Sequence, residues 1–302
     1  MKTHEIKRIM IPLDFSETSL LALEKAAYMA RLYKAELYML HVIEMIEFAY
    51  SIYDPSVAIP VDNDKIRENA ETILKQHSDR IEKEYGLNIR ALVRMGRVAT
   101  EIRDAAKENE VDLIVMGTHG AKGFEEFFIG SNAHKTVTIT PCPVLTIQQH
   151  SKKPGFSDIV MPIDNTLHSR QKVNTVAQLA KHYGATVHLL GLINKGEEDS
   201  RSKFMIKLEA VEKVLKHAQV KFTEKVVVGE NLAEETMKFA NDVNGDLIAI
   251  MTDHESKFTG IFLGVFAKQI INHSRIPVLS IRPDEGKYEA IDLSAASNPF
   301  ND

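Results

Sequence analysis

Runs of Val, Ile, Leu and Met recur along the chain at the length of short strands, and stretches with helical spacing separate them. The first run, residues 8–14, ends in Asp14. Residues 17–34 then put Leu20, Leu23, Ala27 and Ala30 on one face of a helix, with Ser16 in place as its N-cap. Further runs at 36–43, 88–94, 111–116 and 143–147 predict four more strands. Residues 63–85, 98–109 and 131–139 predict helices between them, the last stopped by Pro141 and Pro143. The runs are nearly continuous rather than alternating, as in parallel strands covered on both faces. Strands that alternate with helices imply right-handed crossovers, hence an α/β fold with a doubly wound sheet.

The same pattern then occurs a second time. "RIMIPLDFSETS" at 8–19 is echoed by "DIVMPIDNTLHS" at 158–169, and "AELYMLHVIE" at 35–44 by "ATVHLLGLIN" at 185–194, both 150 residues later. "VDLIVMGTHG" at 111–120 returns as "GDLIAIMTDH" at 245–254, and "PVLTI" at 143–147 as "PVLSI" at 277–281, now offset by 134. The second copy is therefore 16 residues shorter, the loss falling between residues 44 and 111. Its strands are expected near 159–164, 186–193, 222–228, 246–251 and 277–281. So long a period is a duplicated domain, not a solenoid. The expected division is 1–150, 151–283, and a loosely ordered tail at 284–302.

Composition changes this picture little. Hydrophobic residues make up 44% and charged residues 26% of 302, enough for each copy to bury its own core. The net charge of −5 and the lack of a basic block give no reason to expect a nucleic-acid surface. No apolar run nears the roughly 20 residues of a membrane span, and no signal-peptide pattern opens the chain. One cysteine, Cys142, cannot form an internal disulfide, which fits a cytoplasmic protein.

The segment with the most chemical character is Gly117–Ser131, "GTHGAKGFEEFFIGS", between a strand and a helix. Such a loop has two readings. It is a tight connection, or it is a cradle in which glycine backbone and a helix N-terminus gather N–H groups on a phosphate. Its spacing, G-x2-G-x9-G-S, is neither a Walker A motif nor a G-x-G-x-x-G fingerprint.

That spacing, flanked by "VDLIVMGTHG" and "PCPVLTI", resembles the ATP-binding signature of the universal stress protein family, as does the strand-terminal Asp of "RIMIPLDFSETS". The likeness covers both copies, almost all of residues 5–282. It implies two tandem Rossmann-like domains of the adenine nucleotide alpha hydrolase-like type, each a five-stranded parallel sheet flanked by helices. It also implies a stress-response role, often as a dimer: many members bind ATP without consuming it rapidly and others bind no nucleotide, so a nucleotide-free scaffold acting through protein contacts and a slow ATPase stand as alternatives. Carried over residue by residue, Asp14 matches the adenine contact and Val42 the strand position whose backbone reads the base. Gly117, Thr118, His119 and Gly120 match the ribose and phosphate loop, and Gly130, Ser131 and Asn132 the triphosphate-binding helix start. Mg2+ would bridge the phosphates.

Two departures bear on this. Glu125 and Glu126 stand where the family often has basic residues, leaving Lys122 and Lys135 as nearby cations. In the second copy the motif positions read Met251, His254, Gly264 and Val265, although Asp164 still matches Asp14, so that copy is expected to have lost ATP. His41 and His119 lack an evident nucleophile or base partner, and no catalytic role is expected of them. Asp253, His254 and Glu255 are adjacent and do not form a metal set. Residues 45–62, rich in aromatics and mostly missing from the second copy, would be a lid, a partner surface or a cover for the sheet edge. The final strands are apolar sheet edges that would pair within the chain as a pseudo-dimer or between chains as a homodimer.

Overall fold

The computed structural model describes residues 6–44, 48–50, 58–60, 62–118, 130–149, 151, 153–166, 168–197, 199, 201–252 and 263–283. The tail at 284–302 lies outside them. The first copy runs β1 (Arg8–Leu13), α1 (Glu17–Tyr33), β2 (Glu36–Ile43), β3 (Phe48–Tyr50), β4 (Ala58–Pro60), α2 (Asn63–Tyr85), β5 (Ile89–Met95), α3 (Val98–Glu108), β6 (Leu113–Gly117), α4 (Ser131–Ile139) and β7 (Val144–Ile147). The second runs β8 (Asp158–Ile163), α5 (Val173–Tyr183), β9 (Thr186–Asn194), α6 (Arg201–His217), β10 (Lys221–Gly229), α7 (Leu232–Asp242), β11 (Leu247–Met251), α8 (Val265–His273) and β12 (Val278–Ile281).

Local chemistry explains where the elements begin and stop. Ser16 caps α1 by accepting the Ser19 N–H at 3.2 Å, and Asp62 caps α2 by accepting the Lys65 N–H at 3.0 Å. α2 ends at Gly86, whose φ of 67° is the left-handed conformation that favours glycine. β1 and β8 are buried almost throughout, because helices cover the sheet on both faces.

Two antiparallel strands, β3 and β4, make a small separate hairpin inside the segment read from sequence as a loop. The other ten form one sheet in the order β10-β9-β8-β11-β12-β7-β6-β1-β2-β5. Within each copy every pairing is parallel. The copies meet through β7 and β12, which pair antiparallel, with Leu145 opposite Leu279. Those two leucines are each other's repeat counterparts, 134 residues apart, so a pseudo-twofold axis passes through them.

On one sheet face a single apolar cluster runs from Ile9 and Ala26 through Leu145 and Leu279 to Phe156 and Ile159, spanning both copies. The linker threads into this face. Lys25, buried in α1, donates to the Lys153 carbonyl at 2.6 Å and lies over the Phe156 ring. Among the described residues no helix is long and apolar enough to cross a membrane.

Candidate functional site

β1 has β2 on one side and β6 on the other. The chain leaves β1 toward β2 and later returns on the opposite side, which opens a crevice beyond the carboxyl ends of β1 and β6. Asp14 follows β1 and Gly117 closes β6, so both sequence-selected residues lie at this switch point. Asp14 Oδ1 accepts the Ser16 N–H at 3.0 Å and so fixes the turn into α1. Phe15, between them, has φ 61°, a region that a bulky residue enters only under constraint. The constraint is aromatic. Phe15 stacks on His41 with centroids 4.6 Å apart and on His77 at 5.8 Å, while His41 Nδ1 donates to the Leu13 carbonyl at 2.7 Å. Burial, then the nearby Arg80, lowers the His77 pKa. Nothing in the repeat pattern pointed to this stack, because the second copy has Asn165 and Gly191 at the places of Phe15 and His41. Val42 pairs with Arg94 on β5 and lies one residue beyond the last β1 partner, His41.

The two described loop glycines have different reasons to be glycine. A Cβ on Gly117 would meet the Thr18 backbone carbon at 3.0 Å and the Ser19 nitrogen at 3.1 Å, so the first turn of α1 packs directly on the end of β6. A Cβ on Gly130 would meet the Thr118 carbonyl oxygen at 2.9 Å, the same oxygen that accepts the Gly130 N–H at 2.6 Å. That bond clamps the two ends of the motif loop together. Gly130 is also the N-cap of α4, and among the described residues no side chain caps that helix. The first turn of α4 holds no acidic residue, and Ser131 and Asn132 are exposed there. The first-turn N–H groups of α4 and its helix dipole thus lie at the crevice, a donor set that suits an anion such as a phosphate. His119, Gly120, Lys122, Glu125 and Glu126 lie outside the described residues.

The second copy keeps the backbone of this arrangement and changes its side chains. Gly264 caps α8 with φ −58° and ψ 152°, against −57° and 146° for Gly130. Val265, 60% exposed, replaces Ser131, Phe266 replaces Asn132, and buried Met251 replaces Gly117. Asp164 Oδ1 accepts from the Thr166 N–H at 2.9 Å and its hydroxyl at 2.6 Å. A residue that motif reading overlooked also enters here. Lys172 is 2% exposed, and its ammonium donates to the Ser169 carbonyl at 2.5 Å.

Other candidates separate cleanly. His41 is engaged with Phe15 and Leu13, as above. Cys142 is buried, and burial pushes its thiol up to about 12, which leaves it an unreactive core group. Among the described residues no group of three or more His, Cys, Asp or Glu side chains could hold a metal ion. Asp253, His254 and Glu255 lie outside them, as do residues 45–47, 51–57 and 61 of the aromatic segment.

The family model for the universal stress protein family matches residues 5–148 and again residues 155–282. The chain belongs to the universal stress protein family. Two relatives carry the likeness at the level of sequence. A universal stress protein of Methanocaldococcus jannaschii is 31% identical over 153 residues, covering 49% of this chain and 85% of the relative. The Bacillus subtilis universal stress protein YxiE is 30% identical over 146 residues, covering 47% of this chain and 98% of the relative. The crystal structure of an Archaeoglobus fulgidus universal stress protein matches 93% of this chain and 99% of its own, with a TM-score of 0.73 and 17% identity. A putative universal stress protein from Pseudomonas aeruginosa matches 94% and 96%, with a TM-score of 0.66 and 15% identity. These structural likenesses extend over both copies and establish the fold: tandem Rossmann-like domains.

Proposed function

We propose that this universal stress protein binds ATP in its first copy as a regulatory ligand, in the cytoplasm. The observation that carries the reading is the acid-free N-terminus of α4, capped by no side chain among the described residues and set at the β1–β6 switch point behind a loop clamped by the Gly130–Thr118 hydrogen bond. Asp14 and Val42 would take the base. Gly117, Thr118, His119 and Gly120 would take the ribose and first phosphates. Gly130, Ser131 and Asn132 would take the terminal phosphates. Mg2+ would be held through the phosphates. Bound ATP favours one state of the 117–131 loop, and that state is what a protein partner reads. The two copies, joined at β7 and β12, serve as each other's dimer partner.

A second reading, a stress scaffold that binds no nucleotide, has one specific point in its favour. Gly117 and Gly130 both have a packing reason to be glycine that needs no ligand. Calorimetric titration of ATP with Mg2+ separates the two, using Ser131→Glu as the control. A carboxylate in the first turn of α4 favours the helix by about 0.3–1 kcal/mol yet repels a triphosphate. The expected result is one site per native chain and none in Ser131→Glu, with its melting temperature not lowered. No heat from the native chain gives the scaffold reading the field.

A further inference from the structure

α5 begins six residues later than the repeat predicts. Glu17 starts α1, and its counterpart 150 residues on is position 167, yet α5 starts at Val173. Two substitutions account for the missing turn. In the first copy Gly117 leaves room for Thr18 and Ser19, whose backbone lies 3.0–3.1 Å from where a Cβ would stand. In the second copy that place holds Met251, 4% exposed, so a helical turn cannot pack there in the same way. The turn that is displaced exposes carbonyls, and Lys172 takes one of them. Its ammonium reaches back to the Ser169 carbonyl at 2.5 Å and stands 3.4 Å from the Ser169 hydroxyl. Lys172 is the counterpart of Ala22, a short side chain buried in the apolar cluster of the first copy.

The cavity left at this place is the repeat image of the first copy's crevice. Among the described residues it is lined by Asp164, Ser169, Lys172, Leu192, Met251 and Phe266, with Pro162 at its base. The offsets map Asp164 onto Asp14, Leu192 onto Val42, Met251 onto Gly117 and Phe266 onto Asn132. About 10 Å3 of it is free, room for a single water.

We infer that Lys172 and Met251 together fill the second copy's counterpart of the nucleotide crevice, and that this pair, more than the loss of Ser131 and Asn132, decides that the second copy stays empty. The inference rests on the nucleotide reading of the first copy. The backbone of the α8 cap is unchanged, so the frame of the site survives beneath the two side chains. Removing them restores what Ala22 and Gly117 provide. It does not restore Ser131 and Asn132, so the reopened pocket takes the nucleoside without gaining from the phosphates.

The test uses the full chain carrying Ser131→Glu, so that the first copy is silent, with and without the pair Lys172→Ala, Met251→Gly. Adenosine and ATP are the probes. The reverted chain is expected to bind one adenosine, and ATP no more tightly, while the chain that keeps Lys172 and Met251 binds neither. Hydrogen exchange supplies a readout free of ligand: amides of 168–172 gain at least tenfold protection as the missing turn re-forms. A reverted chain that melts cooperatively yet gains neither protection nor adenosine overturns the inference, as does adenosine binding with both residues in place. Should the double variant not fold, Ala22→Lys in the native chain answers the same question. It is expected to weaken the first copy's ATP binding at least tenfold, and unchanged binding overturns the inference. Failure of the ATP reading itself shows separately, as absence of binding in the native chain while the exchange readout still reports on Lys172 and Met251.

Discussion

At the scale of single residues, the motif glycines show how one sequence pattern can hold two physical jobs. Gly130 is squeezed by the backbone of Thr118, with its own N–H bonded to the oxygen that a Cβ would strike at 2.9 Å. Gly130→Ala must push that backbone away, and overpacking of this kind costs about 1–3 kcal/mol. The expected outcome is a lower melting temperature, measured without any nucleotide, because the clash is with the protein itself. An unchanged melting temperature would mean that the clamp yields freely and that the glycine is kept for a ligand. The spacing of the glycines was legible in the sequence, and so was their place between a strand and a helix. What a missing Cβ faces was not, because spacing does not distinguish an approaching phosphate from an approaching helix. Lys172 was legible as a lysine opposite Ala22, but its return to the Ser169 carbonyl depends on where α5 starts.

At the scale of elements, the strands and the first copy's helices follow from hydrophobic period and caps, and their bounds agree with the sequence reading to within a residue or two, while α5 starts six residues later than the repeat predicts. The hairpin of β3 and β4 does not, since its strands of three residues are too short to show a period. The outer edge strand β10 carries a device that pattern reading also passes over. Glu224 on β10 shares a hydrogen bond with Glu212 on α6, and that bond, then burial, then the charge of Glu212, raise the Glu224 pKa to about 7. Glu212 is held below its ordinary value by the same bond and by Lys216, whose ammonium is 2.7 Å away. For a carboxyl raised in the folded state, the stabilising contribution is full below its unfolded value near 4.5 and fades as pH rises through about 7. The melting temperature is therefore expected to fall between about pH 4.5 and pH 7 from this group, and to level off above that. Glu224→Gln, which keeps a donor for Glu212, is expected to flatten that slope. A slope that persists in Glu224→Gln would place its origin elsewhere.

At the scale of the molecule, the ten-stranded sheet treats its inner and outer edges differently. The outer strands β5 and β10 carry Arg90, Arg94, Lys221, Glu224 and Lys225, and such charges discourage pairing with another chain. The inner strands β7 and β12, "VLTI" and "VLSI", are buried at every position and carry no charge. They are suited to each other and to nothing wet. Leu279 is 3% exposed at the pseudo-twofold axis, opposite Leu145. Leu279→Arg would place a cation in an apolar cluster shared by both copies. An unpaired buried charge costs several kcal/mol, so the junction is expected to part before either copy melts. Each freed edge is a short apolar template, and the chain would then be expected to associate through it. Light scattering across protein concentration reads this directly. The native chain is expected to keep a monomer mass at low micromolar concentration, since its inner edges are already paired, while Leu279→Arg rises above it. A native chain that runs as a dimer at every concentration would instead locate association on a surface other than β7 and β12.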